Sequence, residues 1–192
     1  RRNPGLLFVG NDKGVWVSID DGARWVRMKG SMPSVPVHDL LVHPRERDLV
    51  VGTYGRGLYI TSVSALQQLS ERVLAEDAHV FDIDAESVVH TSGWGNYDLY
   101  GDRHLTTPNE PNALSVRYYL REARDRKVSI TVADTSNRLI RTLTGPSLQG
   151  VNTVRWDMRD GGGTLQPRGE YLVTVDIDGR KFAKTARIRH PG

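Results

Sequence analysis

The chain contains no cysteine. That excludes a disulfide framework, a thiolate metal site and a cysteine nucleophile. No run approaches the roughly 20 apolar residues of a membrane-spanning helix, so membrane insertion by a helix is not expected. A large charge of one sign is also missing. The formal charge is +3, from 26 basic and 23 acidic residues. Basic residues gather at Arg117–Arg126 and Arg180–Arg189, but acidic residues interrupt or flank both runs. A nucleic-acid footprint needs a denser stripe, so these runs read as solvated strand faces and no nucleic-acid partner is expected. The histidines (His38, His43, His79, His90, His104, His190) show no HExxH or other short ligand spacing. No P-loop or dinucleotide fingerprint occurs. Gly161-Gly162-Gly163 runs into Thr164-Leu165-Gln166-Pro167, which reads as a hairpin turn rather than a helix start. No metal and no cofactor are expected. The chain opens Arg1-Arg2-Asn3-Pro4 and enters a strand almost at once. It reads as a fragment whose true N-terminus, with any signal peptide, lies upstream.

What is present is a soluble, strand-forming composition. Hydrophobic residues make up 38% and charged residues 26%, which excludes a disordered chain. Nineteen glycines and nine prolines are spread along the sequence, as many short strands joined by tight turns require. The first third repeats itself. Leu7-Phe8-Val9-Gly10 matches Leu49-Val50-Val51-Gly52 at an offset of 42, and Gly14-Val15-Trp16-Val17-Ser18 matches Gly57-Leu58-Tyr59-Ile60-Thr61 at 43. Each copy reads as a β-hairpin with glycine where positive φ is needed. The period lies in the ~40–45-residue range of a four-stranded propeller blade. Arg24–Met28 and Val37–Val42 read as strands between the copies, the second stopped by His43-Pro44. Two blades do not close a ring, so the missing blades are expected upstream as partners in the same parent chain.

Ser18-x-Asp20-x-Gly22-x-x-Trp25 resembles the Asp-box turn of BNR-repeat proteins, the group of sialidases, sortilin-type propellers and some β-glucan hydrolases. The expected role is structural. Asp20 accepts backbone N–H groups of its own turn. Gly22 takes a left-handed position. Trp25 starts the next strand and packs under the turn. The second copy lacks the box. Val63, Leu66, Leu69 and Val73 instead have helical spacing and predict a short helical exit, followed by a strand over Ala78–Ile83. The stretch Gly52-Thr-Tyr54-Gly-Arg56-Gly-Leu-Tyr59 with a following helix is similar to the ends of bacterial BNR and sortilin-like propellers. That resemblance covers residues 1–85.

Residues 86–111 form a connector without clear periodicity. Trp94, Tyr97 and Tyr100 interleave with His90, Asn96, Asp98, Asp102 and His104. The stretch reads as a strap packed by its aromatics, or else as a carbohydrate-binding surface. From residue 112 to 192 the pattern is that of a β-sandwich, with strands at Leu114–Leu120, Lys127–Ala133, Leu139–Leu143, Val151–Met158, Glu170–Ile177 and Phe182–Ile188. Gly150-Val-Asn-Thr-Val-Arg-Trp156-Asp157, a Gly-rich turn and Pro167-Arg-Gly169-Glu-Tyr171 are similar to the Ig-like module of FlgD, the flagellar hook-capping protein. That resemblance implies Trp156 and Tyr171 in the core, Asp157 bracing the next turn, and a scaffolding role.

The fold expectation is therefore all-β: a partial propeller of about two blades plus an Ig-like β-sandwich. No catalytic site is expected. A sialidase mechanism would need an arginine cluster with a Tyr/Glu pair, and nothing brings Arg24, Arg56 and Tyr54 together. Asp12, Asp20, Asp39 and Asp48 are isolated carboxylates with respect to a glycosidase pair. Tyr54 and Arg56, on a turn, are the candidate ligand contacts. The functional expectation is a non-catalytic binding and scaffolding fragment of an exported protein, extracellular or periplasmic, with a protein or glycan ligand. The competing expectation is the C-terminal support of a BNR-type glycoside hydrolase with its active site in upstream blades.

Overall fold

The computed structural model describes residues 3–28, 32–44, 47–88 and 112–189. The fold is all-β, with two short helices among the described residues. It divides into two compact units: Arg1–Phe81 with Tyr119–Glu122, and Asp82–Tyr118 with Ala123–Gly192.

The first unit holds two antiparallel sheets. Strands β1 (Leu7–Asn11), β2 (Gly14–Ser18) and β3 (Val26–Arg27) form one. Strands β4 (Val37–Val42), β5 (Asp48–Thr53) and β6 (Leu58–Ser62) form the other. The repeat has a structural counterpart. Val9 pairs with Trp16 and Gly10 with Val15, while Val51 pairs with Tyr59 and Gly52 with Leu58. These are the same register, and the change of offset from 42 to 43 falls in the turn between the two strands. Each sheet has three strands where a four-stranded blade was expected, and the expected Arg24–Met28 strand is only Val26–Arg27.

Strand alternation decides what the sheets bury. Val15 of the first sheet meets Leu49 and Val51 of the second in one core, with Phe8, Leu40, Val42 and Tyr59 packed against it. The sheets approach closely at Gly10. A Cβ there would overlap Val37, lying 2.8 Å from its Cβ. At the equivalent Gly52 the nearest atoms stand at ordinary contact distance, 3.6 Å or more. Gly10→Ala is therefore expected to destabilise the chain by about 1–3 kcal/mol through overpacking, and Gly52→Ala by much less. Urea unfolding of both variants checks this, and equal losses would contradict it.

The helical exit is split in two. Helix α1 spans Ser64–Gln68 and α2 spans Glu71–Ala75. Ser70 sits between them in extended conformation, its hydroxyl accepting the Val73 N–H. That cap starts a second helix instead of continuing the first. The apolar spacing still serves burial, since Val63, Leu69 and Val73 lie inside. Strand β7 (Ala78–Val80) follows, shorter than the sequence pattern suggests.

The second unit begins at Asp82, ahead of the expected connector of residues 86–111. Strand β8 (Glu86–Ser87) runs parallel to the last strand of the chain. His90, Trp94, Asn96, Tyr97, Asp98, Tyr100, Asp102 and His104 lie outside the described residues. Six strands then follow near the expected positions: β9 (Leu114–Leu120), β10 (Val128–Ala133), β11 (Leu139–Gly145), β12 (Gly150–Trp156), β13 (Gly169–Ile177) and β14 (Arg180–Arg189). One sheet has the order β11-β10-β13-β14-β8, while β9 and β12 are neighbours in another. Alternate residues of β9 and β12 are buried, as in a sandwich with one wet face. The β13–β14 hairpin turns on Asp178 and Gly179, with φ of 52° and 87°. Positive φ at both central residues is the turn that matches strand twist.

Candidate functional site

The Ser18–Trp25 turn is a closed hydrogen-bonded unit. Buried Ser18 donates through Oγ to Asp20 Oδ1 at 2.8 Å and accepts the Gly22 N–H at 2.9 Å. Asp20 Oδ1 also accepts the Arg24 N–H at 2.9 Å, and Oδ2 accepts Arg24 Nε at 2.7 Å. The Arg24 guanidinium holds the Asp20 carboxyl down at about 2, helped by the Arg24 N–H and the Ser18 hydroxyl. Asp21 and Gly22 take φ of 58° and 91°. The Trp25 ring lies against Gly22, although the side chain remains partly exposed and stands just before β3 rather than in it. Arg24 reaches on to Glu71 at 2.9 Å. Both partners of Arg24 are thus carboxylates of its own unit, which leaves its guanidinium engaged away from Tyr54 and Arg56.

The second unit contains the same clasp. Asp134 Oδ1 accepts the N–H groups of Ser136 and Arg138, and Oδ2 accepts Arg138 Nε. Its carboxyl is lowered, first by the Arg138 N–H and then by the Arg138 guanidinium. The sequence reading missed Asp134. Its signal was the spacing shared with Asp20, an aspartate followed four residues later by arginine with a left-handed residue between. Asp160 was missed too, and its Oδ1 accepts the N–H groups of Gly162 and Thr164. Asp157 Oδ1 accepts the Arg159 N–H at 3.1 Å. Trp156 and Tyr171 are buried and meet edge to face at 5.3 Å. Trp156 Nε1 donates to the Arg159 carbonyl, and the Tyr171 hydroxyl donates to the Pro167 carbonyl.

One surface differs from these self-satisfied turns. Between Thr53 and Leu58 the chain makes a turn with Gly55 and Gly57 at φ of 71° and 80°. Thr53 closes it, donating its N–H and Oγ1 to the Gly57 carbonyl. Tyr54 is held out of the fold, 70% exposed, while its N–H donates to the Pro36 carbonyl at 3.0 Å. Its ring stacks on His38, with centroids 5.2 Å apart and planes 24° from parallel. The β4–β5 register shifts between Val37 and Asp39, so His38 is the extra residue of a bulge. A bulge re-aims the side chain it carries, and here it presents His38 to Tyr54. Arg56 projects from the same turn, exposed. Sequence reasoning found Tyr54 and Arg56 but not His38, because a bulge depends on the pairing partner. Elsewhere in this unit is a cavity of about 540 Å³ whose lining includes Leu7 and Phe8 of β1, Leu40 and Val42 of β4, and the polar residues His43, Arg47 and Gln67.

With this geometry in place, comparison with known proteins separates the two units. Residues 105–180 match the FlgD Ig-like domain. The match supports an Ig-like part in the second unit, similar to the FlgD domain, and the buried Trp156–Tyr171 pair lies within the matched residues. Among solved structures the chain is similar to PorZ, described as an essential bacterial surface component of the type-IX secretion system of human oral-microbiomic Porphyromonas gingivalis. That similarity has 16% identity and a TM-score of 0.34, covering 96% of this chain and 21% of PorZ. The chain thus spans about a fifth of that protein. No curated protein matches it.

Proposed function

We propose that the chain is a non-catalytic binding and scaffolding segment of an exported protein, placed outside the cell or in the periplasm. The observation that carries this reading is the FlgD-type Ig-like part, whose acidic turn residues Asp134, Asp157 and Asp160 are spent on backbone N–H groups. A carboxylate that braces its own turn is poorly placed to act as a general acid or nucleophile. The two register-matched sheets support a propeller-type array for the first unit, in which Ser18, Asp20, Gly22 and Trp25 brace the turn after a hairpin. Further sheets of that repeat are its expected neighbours in a longer parent.

The binding surface we assign to this segment is the turn carrying Tyr54 and Arg56, with His38 stacked beside them. A stacked aromatic pair on a turn that also carries an exposed arginine suits a glycan face or an aromatic–acidic peptide. The test is a binding and hydrolysis screen of the 192-residue chain against glycans and surface proteins. The expected result is retention without turnover, weakened about tenfold or more by Tyr54→Ala and by Arg56→Ala. Hydrolysis of any glycan by the purified chain would overturn the reading. Binding unchanged in both variants would remove this turn from it.

A further inference from the structure

The outward face of the five-stranded sheet in the second unit carries charges that its own strands do not balance. Tyr171, Val173 and Ile188 are buried on the inner side of the β13–β14 pairing, so Glu170, Arg187 and Arg189 lie on the outer side. Glu170 stands opposite Arg187, and the two side chains pair. Continuing the register one residue beyond Gly169 and Ile188 sets Arg168 opposite Arg189. Both arginines are exposed. Neither has a carboxylate partner among the described residues. Like charges directly opposite one another on a sheet are destabilising.

A shallow groove of about 540 Å³ lies at this same corner, lined by Arg168 to Glu170 on one side and Arg187 to Arg189 on the other. On the far side of β14, Ser87 of β8 is in register with Arg189. Arg168, Arg189 and Ser87 thus form a row across three neighbouring chain segments, spaced by the roughly 4.8 Å between paired strands. Each member of that row can donate, two through a guanidinium and one through a hydroxyl. The carboxylate that lines the groove, Glu170, is already taken by Arg187. The row therefore offers donors and positive charge with no acceptor beside it.

We propose that this groove binds a tetrahedral oxyanion, the phosphate or sulfate group of a monoester. Guanidinium forks match such groups with paired, charge-assisted hydrogen bonds. A carboxylate offers two oxygens, whereas a row of three donors suits a group with three or more. An anion held between Arg168 and Arg189 replaces one repulsive contact with two attractive ones. Glu170 sets the strength, because by holding Arg187 it keeps a third guanidinium out of the site. The site is separate from the Tyr54 surface and does not depend on the repeat in the first unit.

Titrating the 192-residue chain with methyl phosphate, methyl sulfate and acetate at constant ionic strength tests this, read by NMR of the backbone amides and arginine Nε–H groups. One or both esters are expected to shift the Arg168 and Arg189 signals saturably, with acetate clearly weaker. Arg168→Gln and Arg189→Gln are each expected to weaken binding about tenfold or more, for a lost hydrogen bond to a charged group. Glu170→Gln releases Arg187 and is expected to tighten binding severalfold. Arg180→Gln removes the same charge at the other end of β14, where Arg180 lies over the Phe182 ring, and is expected to change nothing. All of these positions are exposed, so an unchanged circular dichroism spectrum is expected and confirms folding. Methyl phosphate binding that strengthens as the pH rises through about 6 assigns the dianionic phosphate. Tighter methyl sulfate binding with a flat pH profile assigns sulfate. Shifts that do not saturate with either ester overturn the proposal. So does acetate binding as tightly as the esters, or an Arg180→Gln variant weakened as much as Arg189→Gln, since that would show a response to net charge alone.

Discussion

Replacing Trp156 with alanine is expected to lower the unfolding free energy of the second unit by about 3–5 kcal/mol, the range for truncating a buried tryptophan. The Trp156 side chain is fully buried at the end of β12, edge to face with Tyr171. Removing the ring leaves a cavity that rigid neighbouring strands fill only in part. It also removes the Nε1 donor that reaches the Arg159 carbonyl at 2.8 Å and fixes the path into the Gly-rich turn. Trp156→Phe keeps most of the volume and loses the donor, so its cost is expected to be well below that of alanine. Denaturant unfolding followed by circular dichroism measures both. A loss below about 1 kcal/mol for alanine would contradict the placement of Trp156 at the centre of the core.

The second large effect is alkaline. Tyr118 on β9 is fully buried, and its hydroxyl donates to the Pro146 carbonyl. Gly145 makes room for it, since a Cβ there would overlap the hydroxyl and come within 2.9 Å of Val154 Cγ2. Burial pushes the Tyr118 phenol from its ordinary 10.0 up to about 12. The folded state therefore keeps a proton that the unfolded state releases at lower pH. The stability tied to this group is fully present below pH 10 and is lost as the pH rises towards 12. Two pH units of such a shift correspond to roughly 3 kcal/mol. Tyr118→Phe lacks the titration. At neutral pH it is expected to be about 1 kcal/mol less stable, for the lost hydrogen bond. As the pH rises past 10 the gap should close and then reverse. Unfolding free energies of the two proteins across this range provide the check. Parallel pH profiles would show that the phenol is not buried as described.

These residues also show where sequence reading succeeds. The strand positions were legible because alternation and turn chemistry are local. Apolar residues two apart mark the buried side of β9 and β13, and Asp178-Gly179 takes the positive φ values that its hairpin demands. The Asp20 clasp was legible for the same reason, since all its partners but Glu71 lie within the turn. The break at Ser70 was harder to read. Helical spacing ran through it, while the decisive contact was a single hydroxyl capping Val73. His38 was invisible as a partner of Tyr54, because the bulge that aims it exists only in the pairing of β4 with β5.

The sequence by itself determined the strands, the tight turns, the repeat and the Ig-like pattern of the second half, since each depends on residues close together in the chain. Only the tertiary structure decided which face of each repeated strand is inside. Leu49 and Val51 are buried while Ile60, equally apolar, is largely exposed. Alternation sorts side chains into two faces but does not say which one another sheet will cover. That choice is made by packing between segments far apart in sequence, and it leaves the Leu58–Ile60 face open where its equivalent in the first copy is buried.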